Sequence, residues 1–220
     1  GDLFMWGSSS FAHTQWAISN STDPKIKAYF MHIGSSNFKE MFYPGGAFSL
    51  ASALYWTIRS RGQEDREVNL NDLAKGVEIL PVMQADNVAI GDTDFFNDWV
   101  MNRGNLSFWE KIDGNKRTET IQGPVLHLAG WYDPFLISQL DDFLSLKGHS
   151  DPFVAKNTKL IIGPWKHADS VNLPNGEKVT YRENSVWPTT PWFDEILLKR
   201  DSVIPEVKIF VIAIIFIGGK

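Results

Sequence analysis

Cysteine is absent from the 220 residues, which excludes a disulfide framework, a thiolate metal site and a cysteine nucleophile together. Long apolar runs are scarce. The longest, Ile209 to Ile217, is too short to span a bilayer and reads as a buried strand. No signal-peptide pattern is visible. His-Glu-x-x-His, Gly-x-Gly-x-x-Gly and phosphate-loop sequences are all missing, so metal hydrolysis and nucleotide chemistry have no support and no cofactor is expected. A basic surplus is lacking as well. The net charge is −5, with the two signs interspersed, which points away from nucleic acid and membrane surfaces and towards small or uncharged substrates.

A hydrophobic share of 43% and nine tryptophans mark a globular chain, long enough for one sizeable α/β domain or two small ones. Its organising stretch lies at the start. The apolar run Leu3 to Trp6 stops at Gly7 and the serines Ser8, Ser9 and Ser10, then resumes as an amphipathic segment. Strand, sharp turn and helix in that order form a nucleophile elbow, in which a side chain at the tip sits on strained backbone. Positions near the tip must be small, or strand and helix collide. Gly7 and Ala12 meet that demand around Ser9, in the pattern Gly-x-Ser-x-x-small. Three serines after a strand also suit an ordinary helix N-cap.

Asp2 to Ser8 reads as the first strand, Ser10 to about Ser19 as a helix, and Ile26 to Ile33 as a second strand, which together predict a βαβ unit and a parallel sheet. From Ser35 to about Thr120 aromatics fall into helical periodicities, with Ala51, Leu54, Tyr55 and Ile58 on one face and Phe95, Phe96, Trp99 and Val100 on another. This stretch reads as a helical insertion over the carboxyl side of the sheet. Strands return at Gly123 to Gly130, nearly continuous in apolar residues as a doubly buried strand would be, and at Lys159 to Gly163, breaking at Pro164. Between them Asp133 caps a helix beginning at Pro134, with Leu136, Leu140, Phe143 and Leu144 on its apolar face. A loop rich in Asn, Pro and Gly precedes a helix carrying Trp192, Phe193, Ile196 and Leu197. Pro205 opens a last strand. The domains expected are 1–34 and 121–204 as an α/β core, 35–120 as a cap, and 205–220 as the start of a C-terminal β domain.

Ser9, Asp133 and His167 each directly follow a predicted parallel strand, and in an open parallel sheet those ends share one crevice. Their order, Ser, Asp, His, is that of the α/β-hydrolases. In such an arrangement His167 takes the proton of Ser9 and Asp133 fixes the imidazole tautomer, while the backbone N–H of Ser10, at the positive end of the helix, stabilises an oxyanion. Taken singly, Asp133 could be a helix cap and His167 a loop residue bonded to a carbonyl. His13, His32, His127 and His149 are weaker candidates. His13 lies one turn into the elbow helix, and no substrate-binding residue is singled out.

Several blocks resemble the cocaine esterase and X-prolyl dipeptidyl-peptidase family of serine hydrolases: the elbow with Thr14-Gln15-Trp16, Tyr43-Pro44-Gly45-Gly46-Ala47-Phe48, Gly130-Trp131-Tyr132-Asp133, Gly163-Pro164-Trp165-Lys166-His167 and Trp192-Phe193-Asp194. The resemblance implies an α/β-hydrolase sheet with an inserted helical cap, an acyl-enzyme, and an ester or short peptide as substrate, with Ser9 as nucleophile, Asp133 as acid and His167 as base. Family members carry Tyr where this chain has Ser10. They draw a tyrosine oxyanion donor, and the early strands of the sheet, from a segment before the elbow. The chain therefore matches the central portion of a larger enzyme, lacking those strands and most of a C-terminal jelly roll. An uncovered first strand is expected to favour self-association. The alternative to the enzyme is a catalytically silent fragment acting as a binding or assembly module.

Overall fold

The computed structural model describes residues 2–20, 26–61, 68–113, 115–167, 170–172, 175–176, 178–180 and 187–210. It resolves into two compact units, Gly1–Ser36 with Gly114–Lys220, and Asn37–Asp113.

The first unit is built on a five-stranded sheet. The strands β1 (Leu3–Ser8), β2 (Ile26–His32), β3 (Val125–Tyr132) and β4 (Lys159–Lys166) lie in sequence order, and each pairs with the next in parallel. A short hairpin, β5 (Ser170–Asn172) with β6 (Lys178–Thr180), follows within the stretch expected as a loop. The sheet's last strand, β7 (Val207–Ile209), runs parallel beside β4. Residues 207–209, within the 205–220 stretch expected to open a C-terminal β domain, pair with β4 as the fifth strand of this sheet. Residues 211–220 lie outside the described residues.

Alternation along strands that are buried on both sides gives the sheet two different faces. One face holds Ala28, Phe30, Leu126, Leu128 and Ile161 against Trp165, Trp192 and Ile204, with Trp192 supplied by α10 (Thr189–Leu198). I.e. the even positions of β2 and β3 turn towards α10. The odd positions Tyr29, Met31 and Val125 pack with Ala12 and Trp16 of α1 (Ser10–Ile18). Phe143 of α8 (Leu136–Lys147) covers Ala129, Leu160 and Ile162 on the same side. Leu144 and Leu197, assigned to the apolar faces of their helices by spacing, are exposed.

Two turns depart from the expected boundaries. α8 begins at Leu136 and not at Pro134, because the Asp133 carboxylate closes a turn first by accepting the Phe135 N–H at 2.8 Å. Strand β4 does not break at Pro164. It continues to Lys166 through a register shift in which Gly130 faces Gly163 but Tyr132 faces Lys166, an irregularity that accommodates a residue with no N–H to give.

The second unit, Asn37–Asp113, carries helices α2 (Phe38–Phe42), α3 (Leu50–Ser60), α4 (Leu70–Val77), α5 (Ala85–Ile90), α6 (Asp94–Met101) and α7 (Leu106–Trp109), and no strand among its described residues. It is narrower than the 35–120 insertion expected from sequence. Ser36 is tied to Asp142 of α8 through its N–H and hydroxyl, and Ile121 lies in the core of the first unit. Aromatic rings carry this second core. Phe42 stacks on Trp99 at 4.3 Å, and the Tyr43 hydroxyl donates to the carbonyls of Trp99 and Val100. On α3 the buried set is Ala53, Leu54, Thr57 and Ile58, so Ala51 and Tyr55 turn outward.

Candidate active site

Ser9 stands between β1 and α1 with φ 57° and ψ −121°, a conformation that costs an L-residue about 1–3 kcal/mol and persists only where the surroundings dictate it. They do so through the backbone. The Ser9 N–H donates to the His32 carbonyl at 2.9 Å, and the Ser9 carbonyl accepts from Ala12 and His13 at 2.9 and 3.2 Å. A Cβ on Gly7 would come within 2.7 Å of Phe11 and of Gln15 Nε2, and one on Gly34 within 2.7 Å of the Ala12 Cβ. The small residues expected at positions 7 and 12 therefore meet a third, Gly34, that spacing did not single out. Gln15 explains part of the Thr-Gln-Trp block, since its buried amide reaches the Phe30 carbonyl at 3.1 Å and ties α1 to β2.

Ser9 occupies the N-cap position of α1, yet its side chain makes no cap hydrogen bond. Its Oγ lies 2.7 Å from His167 Nε2. His167 is carried past the end of β4 by the irregular pairing already described, and Trp165 is the reason for the glycines there. A Cβ on Gly163 would lie 1.9 Å from the Trp165 ring, and one on Gly130 would lie 2.4 Å from the Trp165 carbonyl oxygen. With both positions bare, the indole is 1% exposed and the chain beyond it is aimed towards the elbow.

The other imidazole nitrogen, Nδ1, is 2.7 Å from Asp133 Oδ2. A carboxylate only accepts, so the proton between them belongs to Nδ1 and leaves Nε2 as acceptor for the Ser9 hydroxyl. The Asp133 side chain is fully buried and the His167 side chain 29% exposed. Asp133 thus bonds through both oxygens, Oδ1 closing the turn at Phe135 ahead of α8, whose N-cap it is not, and Oδ2 lying on the imidazole. Ser10 is the first, exposed residue of α1, where helical N–H groups have no partner inside the helix.

Of the remaining histidines, His127 is buried in β3 and held down to a pKa of about 3 by burial. His13 is held down to about 4, by burial first; the Ser35 backbone hydrogen bond raises it, the His167 charge lowers it and the Asp133 charge raises it. Its proximity to the pair was not legible in the spacing of the histidines. Among the described residues, no group of three or more His, Asp or Glu side chains could hold a metal ion, and no helix is long and apolar enough to cross a membrane.

Three proteins to which this chain is similar carry the names of hydrolases. Cocaine esterase from Rhodococcus sp. (strain MB1 Bresler) is 26% identical over 245 residues, covering 97% of this chain and 41% of its own length. The chain therefore spans about two fifths of that curated relative. Two solved structures share the fold. An α-amino acid ester hydrolase superposes with a TM-score of 0.64 at 14% identity, covering 94% of this chain and 36% of its own. An aminopeptidase from a marine sediment Thaumarchaeota archaeon gives 0.61 at 16% identity, with coverages of 94% and 36%. Residues 1–169 match the model of one family from the elbow to just past His167, and on that match the chain belongs to the X-Pro dipeptidyl-peptidase (S15) family.

Proposed function

We propose that the chain is a serine hydrolase that cleaves an ester or amide bond through an acyl-enzyme. The observation that carries this is the unbroken chain from Ser9 Oγ through His167 to Asp133, 2.7 Å at each step. Ser9 Oγ attacks the substrate carbonyl carbon while its proton passes to His167 Nε2. The electron pair displaced onto the carbonyl oxygen is met by the Ser10 N–H. When that pair returns, the bond to the leaving group breaks, and His167 hands its proton to the departing alcohol or amine. Water, deprotonated by the same imidazole, then releases the acid and restores Ser9. Asp133 holds the ring in the tautomer that accepts, and stabilises its cation.

The family and the hydrolases named above support a small-molecule ester or short peptide as the substrate. Ser10 supplies one oxyanion donor, and removal of such a donor costs ~100-fold or more in turnover. Labelling by a fluorophosphonate probe, which needs only the activated serine, is therefore the direct test. The wild-type chain is expected to take up one label per chain and Ser9→Ala none. No wild-type labelling at any pH between about 6 and 9, the range in which an imidazole base is free, would leave the silent binding module as the reading. Parallel assays on acyl esters and X-Pro amides then separate esterase from dipeptidyl-peptidase.

A second copy completes the proposal. Among the described residues β1 is an edge of the sheet, and Leu3 and Trp6 on it are each 51% exposed, which suits pairing with a strand of a second copy or of another segment. Sedimentation velocity is expected to show a dimer, and a monomer at all concentrations would remove this part.

A further inference from the structure

Phe135 touches both the acid and the base. Its N–H donates to Asp133 Oδ1 at 2.8 Å, its ring lies 5.7 Å from the His167 ring at 52°, and it is 1% exposed. Its ring also meets that of His13, with centroids 4.8 Å apart in an edge contact at 65°. His13 is fastened from two directions. Its N–H donates to the Ser9 carbonyl, and its side chain hydrogen-bonds the Ser35 backbone. The next residue, Ser36, is in turn fixed to Asp142, N–H to Oδ2 at 2.8 Å and hydroxyl to Oδ1 at 2.5 Å. One contact chain therefore runs from α8 through the loop after β2 to His13, then through Phe135 to His167.

We propose that His13 is a positioning residue for the base: its ring backs Phe135, and Phe135 in turn holds the His167 imidazole on the line between Ser9 Oγ and Asp133 Oδ2. The inference rests on the hydrolase reading of those three residues. Burial first, and the facing His167 after it, keep the His13 ring uncharged against the Ser35 hydrogen bond and the Asp133 charge. A cation there would oppose the imidazolium that His167 becomes, whereas a neutral ring adds rigidity without charge. An edge-on aromatic contact is worth about 0.5–1.5 kcal/mol beyond its buried area, enough to bias one orientation of a partly exposed imidazole.

The test compares His13→Ala with His13→Phe in the full chain, using one readout that needs no turnover. By NMR, the proton on His167 Nδ1 is expected to exchange with water ~10-fold faster in His13→Ala, the mark of a looser site. Turnover of a p-nitrophenyl ester is expected to fall ~10- to 100-fold in kcat with KM within about twofold, as misplacement of a catalytic group does. His13→Phe, which keeps an aromatic ring and loses the Ser35 hydrogen bond, is expected to restore both to within about threefold of wild type. Should His13→Ala fail to fold, His13→Gln provides the ring-free arm. An unchanged Nδ1 proton in the ring-free variant overturns the proposal, and so does His13→Phe as impaired as that variant. Failure of the hydrolase reading shows separately, as a wild-type chain that takes no fluorophosphonate label, and the Nδ1 proton still decides on His13.

Discussion

Two polar clusters sit at opposite ends of the same sheet, and they differ in whether anything is left over. At the carboxyl end, Ser9, His167 and Asp133 form a line whose middle member is 29% exposed and whose outer member is a hydroxyl on strained backbone. At the amino end of β4, Lys159 Nζ meets both oxygens of Glu195 at 2.7 Å, the Ile204 carbonyl at 2.8 Å and the Ser202 hydroxyl. The Lys159 and Glu195 side chains are only 6% and 9% exposed. That second cluster is closed, because every ammonium proton has an acceptor. It locks α10 and the segment leading to β7 onto the sheet and leaves no group to act on a substrate. The cavity beside it, ≈ 520 Å³ and lined in part by Lys156, Asn157 and Glu206, is a hollow over a saturated ion pair. Cavity size alone does not find the chemistry; an open hydrogen-bond line does.

The contrast is sharpest when each cluster is broken in turn. Ser9→Ala is expected to remove ~10⁴-fold or more of any esterase turnover, as loss of a nucleophile does, and to leave the urea midpoint close to wild type. Lys159→Met should do the reverse. It strands the Glu195 charge in a buried site and is expected to cost about 3–5 kcal/mol in unfolding free energy, with the fluorophosphonate labelling rate of the folded protein unchanged. Adding Glu195→Leu should return most of that stability, since two well-packed apolar groups replace a buried pair at little cost. A Lys159→Met protein that folds as well as wild type but labels slowly would show that the two ends are coupled and dissolve the distinction.

The sequence made the open cluster more legible than the closed one. Each of its members directly follows a strand, and the strands betray themselves by nearly continuous apolar runs such as Val125 to Ala129, interrupted only at His127. Gly7 and Ala12 announce the elbow by size alone. Other features depend on which surfaces meet, and no local pattern encodes that. Gly34 matters because it faces Ala12 across the elbow. Pro164 is compatible with a strand only because β3 and β4 slip register beside it. Lys159 and Glu195 are 36 residues apart and look like two ordinary surface charges until the sheet and α10 are assembled. Helical stripes were read one position out at Ala51, Tyr55 and Leu144, where a 100° step per residue turns a small phase error into exposure.

His127 provides a third kind of polar residue, neither open nor closed. It sits in the middle of β3, 0% exposed, against Trp16 and Phe143, and neither ring nitrogen has a hydrogen-bond partner among the described residues. Burial lowers its pKa from 6.5 to about 3. Below pH 6.5 the unfolded chain therefore takes up a proton that the folded chain refuses until about pH 3. Stability should be fully present above that upper value and fall as the pH drops, by up to about 1.4 kcal/mol per pH unit from this residue. His127→Leu removes the proton uptake, so urea unfolding between pH 6 and 4, within the window where the two forms differ, should show a slope shallower by up to that amount. His13, with its pKa near 4, contributes in the same direction over a narrower range and remains in the variant as an internal reference. Equal slopes in wild type and His127→Leu would mean that the folded protein does admit a proton at position 127. The residue would then belong with the partnered clusters at the ends of the sheet and not with the apolar core between them.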